Sequence, residues 1–217
     1  SSDSTVSRRS LTGSVTIGQQ NGVQLVTQAY LTGGGNLTAT GTFTVQSYGS
    51  AAGANSMGNL NLSGLNTFTF SNSSATLSIA DTSSGLTRAG GNLTLAGVKN
   101  SITVSNLNVA TSSAAQAGPL STLTFGAGTN IINVRNFNLA NNKGSATASF
   151  ATSTGGLKIR GTTGADTDRA TITIGNRNQT GTGTSQGILN LAGHPVDVKA
   201  ATLTIGANPN TGTPGAA

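Results

Sequence analysis

The sequence predicts an all-β fold, a single-stranded β-solenoid built from repeats of roughly 30 residues with about three short strands in each. Three observations predict it. The composition disfavours helix. A Leu-centred motif recurs at near-even spacing. Within each repeat, apolar and polar residues alternate with a period of two, and Gly or Asn cuts one alternating run from the next.

Charged residues make up 7% of the 217, against about 25% in a typical domain. All five acids are Asp: Asp3, Asp81, Asp166, Asp168 and Asp197. Strong helix formers are scarce, and Gly, Ser, Thr and Asn take their place. Disorder requires low hydrophobicity together with high net charge. Here the formal charge is only +6 and the apolar residues are ordered along the chain. The chain has no Cys, which excludes a disulfide scaffold without assigning a compartment. No apolar run reaches the 18 residues that a transmembrane helix needs. The first residue is Ser and no signal peptide is visible, so the chain reads as a processed product or a fragment.

Residues 1–55 read as irregular strands or end rungs. Residues 14–17, 23–26, 36–38 and 42–45 alternate or run as strands, in a loose register. Residues 56–207 read as the regular solenoid. Its motif appears as Asn59-Leu60-Asn61-Leu62-Ser63-Gly64, Asn92-Leu93-Thr94-Leu95-Ala96-Gly97, Thr122-Leu123-Thr124-Phe125-Gly126, Gly156-Leu157-Lys158-Ile159-Arg160-Gly161 and Ile188-Leu189-Asn190-Leu191-Ala192-Gly193. The first Leu of each stands at 60, 93, 123, 157 and 189, at spacings of 33, 30, 34 and 32. After Leu93 the alternation resumes at Ile102, Val104, Leu107 and Val109. After Leu123 it resumes at the same offsets, at Ile132, Val134, Phe137 and Leu139. Leu203 and Ile205 keep the last two offsets, while Leu77/Ile79 and Ile172/Ile174 drift slightly. This register expects Leu93, Leu123, Leu157 and Leu189 to form one buried ladder. The even period argues against the alternative all-β reading, a sandwich or barrel, whose strands do not repeat in sequence. Residues 208–217, with Pro209, Pro214 and no large apolar side chain, read as a flexible tail or linker.

The units Gly90-Gly91-Asn92-Leu93-Thr94-Leu95-Ala96-Gly97 with Ile102-Thr103-Val104, and Gly187-Ile188-Leu189-Asn190-Leu191-Ala192-Gly193 with residues 201–206, resemble the autotransporter-associated β-strand repeat. The resemblance covers roughly residues 58–206. It implies a right-handed parallel β-helix of the kind found in long, secreted bacterial passenger proteins. No C-terminal membrane barrel follows in this sequence, so the resemblance implies nothing about the route of secretion.

Candidate chemistry is sparse. His194, the only histidine, precedes Asp197 by three residues. That pair suits a general base with its orienting acid, or simply a corner of the coil. One His and no Cys leave too few ligands for zinc. Asp166 and Asp168 suit a calcium loop or a turn. Five scattered Asp give no paired carboxylates for glycoside hydrolysis. Of the basic residues, only Arg8-Arg9 and Lys158/Arg160 are close, which reads as solubility rather than a nucleic-acid or polysaccharide stripe. Thr-x-Thr pairs at Thr42, Thr67, Thr122, Thr171 and Thr202 suit exposed strand positions, with ice binding as the sharper alternative. Sequons begin at Asn36, Asn61, Asn72, Asn92 and Asn178.

The expectation is therefore a non-enzyme with no catalytic, cofactor or metal site. It is expected to be extracellular or at the cell surface, as a structural subunit of a fibre that self-associates through open solenoid ends into a homopolymer. The first alternative is an adhesin that displays loops such as 46–57, 110–119 and 177–186 from one solenoid edge, with surface glycans as candidate ligands, and the second is a degraded polysaccharide-active enzyme. No nucleic-acid binding or membrane insertion is expected.

Overall fold

The computed structural model describes residues 8–11, 13–18, 26–49, 56–81, 88–112, 118–178 and 185–207. The expected tail at 208–217 lies outside the described residues. The chain opens with β1 (Arg8–Leu11) and β2 (Val15–Ile17). The next layer holds β3 (Val26–Tyr30), β4 (Asn36–Ala39) and β5 (Phe43–Val45), followed by the short β6 (Ser47–Gly49). Three layers of two strands follow: β7 (Met57–Asn61) with β8 (Thr67–Ile79), β9 (Arg88–Thr94) with β10 (Lys99–Ser112), and β11 (Ser121–Phe125) with β12 (Thr129–Asn142). Then come β13 (Ser145–Phe150), β14 (Gly156–Arg160) and β15 (Ala170–Asn176). The last layer is β16 (Gln186–Leu189), β17 (Val196–Val198) and β18 (Ala200–Ile205). No helix occurs among the described residues.

The layers stack as a β-solenoid, with about 31 residues from one layer to the next. All described pairings are parallel except that of β6 with β9. One sheet follows the path β1-β4-β8-β10-β12-β14-β17, with β2, β5, β15 and β18 continuing it sideways. The other follows β3-β7-β9-β11-β13-β16.

Alternation along each strand turns one side chain inward and the next outward, and parallel stacking converts the inward set into columns. One column runs Val15, Phe43, Leu77, Leu107, Phe137, Ile172, Leu203. The next runs Ile17, Val45, Ile79, Val109, Leu139, Ile174, Ile205. In the middle layers these side chains are buried. Full burial stabilises each by about 1.5–3 kcal/mol relative to exposure. No layer could bury its apolar face alone, so the stability lies in the contacts between neighbours.

Two features differ from the sequence expectation. The second and third strands of a repeat run on as single strands of 13 or 14 residues in β8, β10 and β12. No Gly or Pro interrupts them, and the ladder between β8 and β10 takes up the irregularity at Val104/Asn106. The expected Leu ladder also needs correction. Leu93 and Leu123 pair and are buried, but the next member of their column is Ala148, followed by a half-buried Leu189. Leu157 is buried in a different column, between Asn130 and Val196. The cause is the short connection at Lys143 and Gly144, which brings β13 into the layer early. A longer connection, residues 161–169, then separates β14 from β15.

Candidate functional site

Polar side chains in this solenoid fall into three groups: a ladder inside the coil, small polar columns outside it, and a charged cluster near the last two layers. The inner ladder is the least expected. Asn100 and Asn130 are fully buried in a column that also holds Leu37, Phe68, Leu157 and Val196. A buried amide is costly unless it is bonded, and these are. Asn100 Oδ1 accepts from the Ala96 N–H at 2.9 Å, and its Nδ2 donates to the Ala96 carbonyl at 2.8 Å. Asn130 bonds the Gly126 N–H and carbonyl in the same way, at 2.9 and 3.0 Å. Asn100 Nδ2 also donates to Asn130 Oδ1 at 2.9 Å, which links the layers. Each Asn therefore closes the turn between the short-sheet strand and the long strand of its own layer. The signal was present in the sequence, as an Asn four residues beyond Ala96 and beyond Gly126.

Outside, the column Thr16, Thr44, Ser78, Asn108, Asn138, Thr173, Thr204 carries no charge. Asn138 Nδ2 donates to Asn108 Oδ1 at 2.9 Å, and Asn136 Nδ2 to Asn106 Oδ1 at 2.8 Å. The Thr-x-Thr pairs do not form one rank. Thr171/Thr173 lies beside Thr202/Thr204, but Thr67/Thr69 pairs with Lys99/Ser101, and Thr122/Thr124 lies on the other sheet. Of the sequon residues, Asn36 accepts from Thr67 Oγ1, Asn72 donates to the Thr40 carbonyl, Asn92 donates to Asn59, and Asn178 is exposed.

The charged cluster centres on Arg160, which is 1% exposed. Its Nε donates to Asp166 Oδ1 at 2.9 Å, its Nη1 to the carbonyls of Ile159 and Asp197, and its Nη2 to the Asp197 carboxylate. Lys158 Nζ stands 3.3 Å from Asp166. The guanidinium is buried with its fork occupied, and it ties β14 to β17 of the following layer. Hydrogen bonding from Arg160 holds both carboxyls below their ordinary range, and the bond to Asp197 raises Arg160 in turn. The Lys158/Arg160 pair noted in the sequence therefore faces aspartates, and half of it is buried. Asp168 accepts from the backbone N–H and the hydroxyl of Thr163 at 2.8 and 2.7 Å, which depresses its pKa. Asp166 and Asp168 thus shape one connection from within. Among the described residues no group of three His, Cys, Asp or Glu is placed to hold a metal ion.

His194 does not meet Asp197. Its ring stacks on Phe150 with centroids 3.7 Å apart and an interplanar angle of 10°. Nδ1 donates to the Gly155 carbonyl at 3.1 Å, while the Asp197 carboxylate is held by Arg160. Phe150 packs in turn on Phe125 at 5.2 Å. His194 therefore pins a corner of the coil. Asp81 contrasts with the other acids. Burial raises its pKa, against the opposing effect of hydrogen bonds from Asn108 and Ser78.

The last layer has the largest exposed apolar side chains near the end of the described chain. Val196, Leu203 and Ile205 continue inner columns, yet they are 45%, 57% and 68% exposed because no described strand lies over them. Comparison with known proteins finds no matching family model, no matching curated protein and no matching solved structure.

Proposed function

We propose that the chain is a structural, non-catalytic solenoid that acts as a subunit of an extracellular or cell-surface fibre and assembles through its solenoid ends. The observation that carries this reading is the last layer. Its inward pattern is that of an internal layer, and Val196, Leu203 and Ile205 face solvent where a further layer would cover them. Open strand edges pair with other chains unless they are blocked. The low charge of the outer columns supports a role in which the body is inert and the ends act. The repeat that resembles autotransporter-associated β-strands supports placement outside the cell. Electron microscopy of the purified chain at rising concentration tests the reading. Unbranched fibres are expected, and discrete short particles at every concentration contradict it.

A second reading has its own observation. The connections from β5 to β7, β8 to β9, β10 to β11 and β15 to β16 all leave the long sheet for the next short-sheet strand, so they issue at one corner of the coil. Three of them overlap the segments named above as loop candidates, whose central residues 50–55, 113–117 and 179–184 lie outside the described residues, and loops held on a rigid scaffold suit adhesion. Retained glycan or surface binding that falls when these loops are shortened would favour the adhesin.

A further inference from the structure

We infer that the last layer receives the first layer of a second copy of this chain, with β18 of one copy lying against β2 of the next. This rests on the fibre reading above and names its contact. The internal register carries the inference. Two inner columns run unbroken through the described structure, and both end in apolar residues at both ends. The first column begins with Val15 and ends with Leu203. The second begins with Ile17 and ends with Ile205. Val15 and Ile17 are only partly buried, and Leu203 and Ile205 are exposed. A second copy stacked in the same parallel register therefore sets Val15 over Leu203 and Ile17 over Ile205. This contact continues the one that already joins Leu203 to Ile172 and Ile205 to Ile174 within the chain.

The backbone at this corner fits as well. The residue after the second column has positive φ in every layer except the second, where it is Gln46: Ala80, Ala110, Ala140, Gly175 and Gly206 lie between 55° and 65°, and Gly18 closes β2 at 118°. Glycine stands at this corner in the first layer and in the last two, where the positive φ favours it. The match is confined to this side. At the neighbouring column the first layer brings Arg9, in register with Leu37, where the last layer has Val196. Such a contact is heterologous and does not close on itself, so it generates a filament rather than a dimer.

Sedimentation of the chain and two blocked variants tests the contact. One variant carries Leu203→Lys and Ile205→Lys, and the other carries Val15→Lys and Ile17→Lys. Far-UV circular dichroism checks each fold, and Ile17→Asn replaces the second pair if that variant does not fold. The parent is expected to form a growing series of species. Each blocked variant alone is expected to lose every species above monomer, and their equimolar mixture to form a dimer that does not grow. Self-dimerisation of the Val15/Ile17 variant would overturn the proposal, because last layers would then be meeting each other. Undiminished polymers from both variants would overturn the contact and leave the fibre reading standing. A parent that stays monomeric at every concentration would overturn both.

Discussion

Ala80, Ala110 and Ala140 hold a left-handed backbone, with φ of 55°, 55° and 58°. That conformation costs a residue with a Cβ about 1–2 kcal/mol. Ala110→Gly relieves this strain. Against the relief stand a lost methyl, worth about 0.8 kcal/mol, and the added freedom of the unfolded chain, about 0.4–1 kcal/mol. The net change is expected to lie near zero. Ala148→Gly, at a buried position in β13 without positive φ, carries both losses and no relief, so it is expected to cost about 1–2 kcal/mol. Denaturant titration of the two variants reads the difference, and equal losses would contradict strain at the corner. The aspartates give a second test at this scale. Asp197 is depressed by Arg160, so its contribution is present above the ordinary carboxylate pKa and is lost as pH falls through the depressed folded value. Asp81 is raised by burial, so its ionisation opposes folding above the ordinary pKa, and that penalty vanishes in acid. Asp197→Asn is therefore expected to lower stability at neutral pH, and Asp81→Asn to raise it. Both differences should disappear in strong acid, and two shifts of the same sign at neutral pH would refute the assignment.

At the scale of the element, cost should follow place in the stack. Leu123→Ala, fully buried in a middle layer, is expected to cost about 2–5 kcal/mol. Leu189→Ala is expected to cost less, because Leu189 is half-buried in the last layer. Asn130→Ala strips partners from the buried backbone of Gly126 and from Asn100. Each buried group left unbonded costs about 1–3 kcal/mol, so this polar residue should rank with Leu123 in a thermal or chemical melt. These elements also mark how far the sequence could be read. The strands around Leu93 and Leu123 were legible because their apolar residues recur at identical offsets, and the structure pairs Ile102 with Ile132 and Leu107 with Phe137 accordingly. The following layer was misread because β13 turns Ala146 and Ala148 inward and lacks the Leu signal, whereas Gly156-Leu157-Lys158-Ile159 in β14 imitates it. The buried Asn ladder was not foreseen, since Asn near a strand boundary, two or three residues after Gly, reads as turn chemistry rather than core. Arg160 gave no local sign of burial. Its partners Asp166 and Asp197 come from a connection and from the next layer, and only the stack brings them together.

The whole molecule is a stack in which each layer is held by its neighbours, so its character is set along one axis. The long sheet is seven strands deep along its path. Seven strands at a spacing of about 4.8 Å, with one further spacing to the next copy, make a repeat about 34 Å high along the axis. A fibre built by continuing this stack has the solenoid axis along the fibre axis, and copies advance by about that height. Side-by-side assembly through the outer Thr and Asn columns instead sets the solenoid axis across the fibre and leaves the last layer open. Cryo-electron microscopy of the assembled chain decides between them. The account predicts layers spaced at about 4.8 Å along the fibre axis, an axial advance of about 34 Å per copy, and the spacing unbroken where Ile205 of one copy meets Ile17 of the next. Copies joined laterally, with the solenoid axis across the fibre and Leu203 and Ile205 still in solvent, would contradict it.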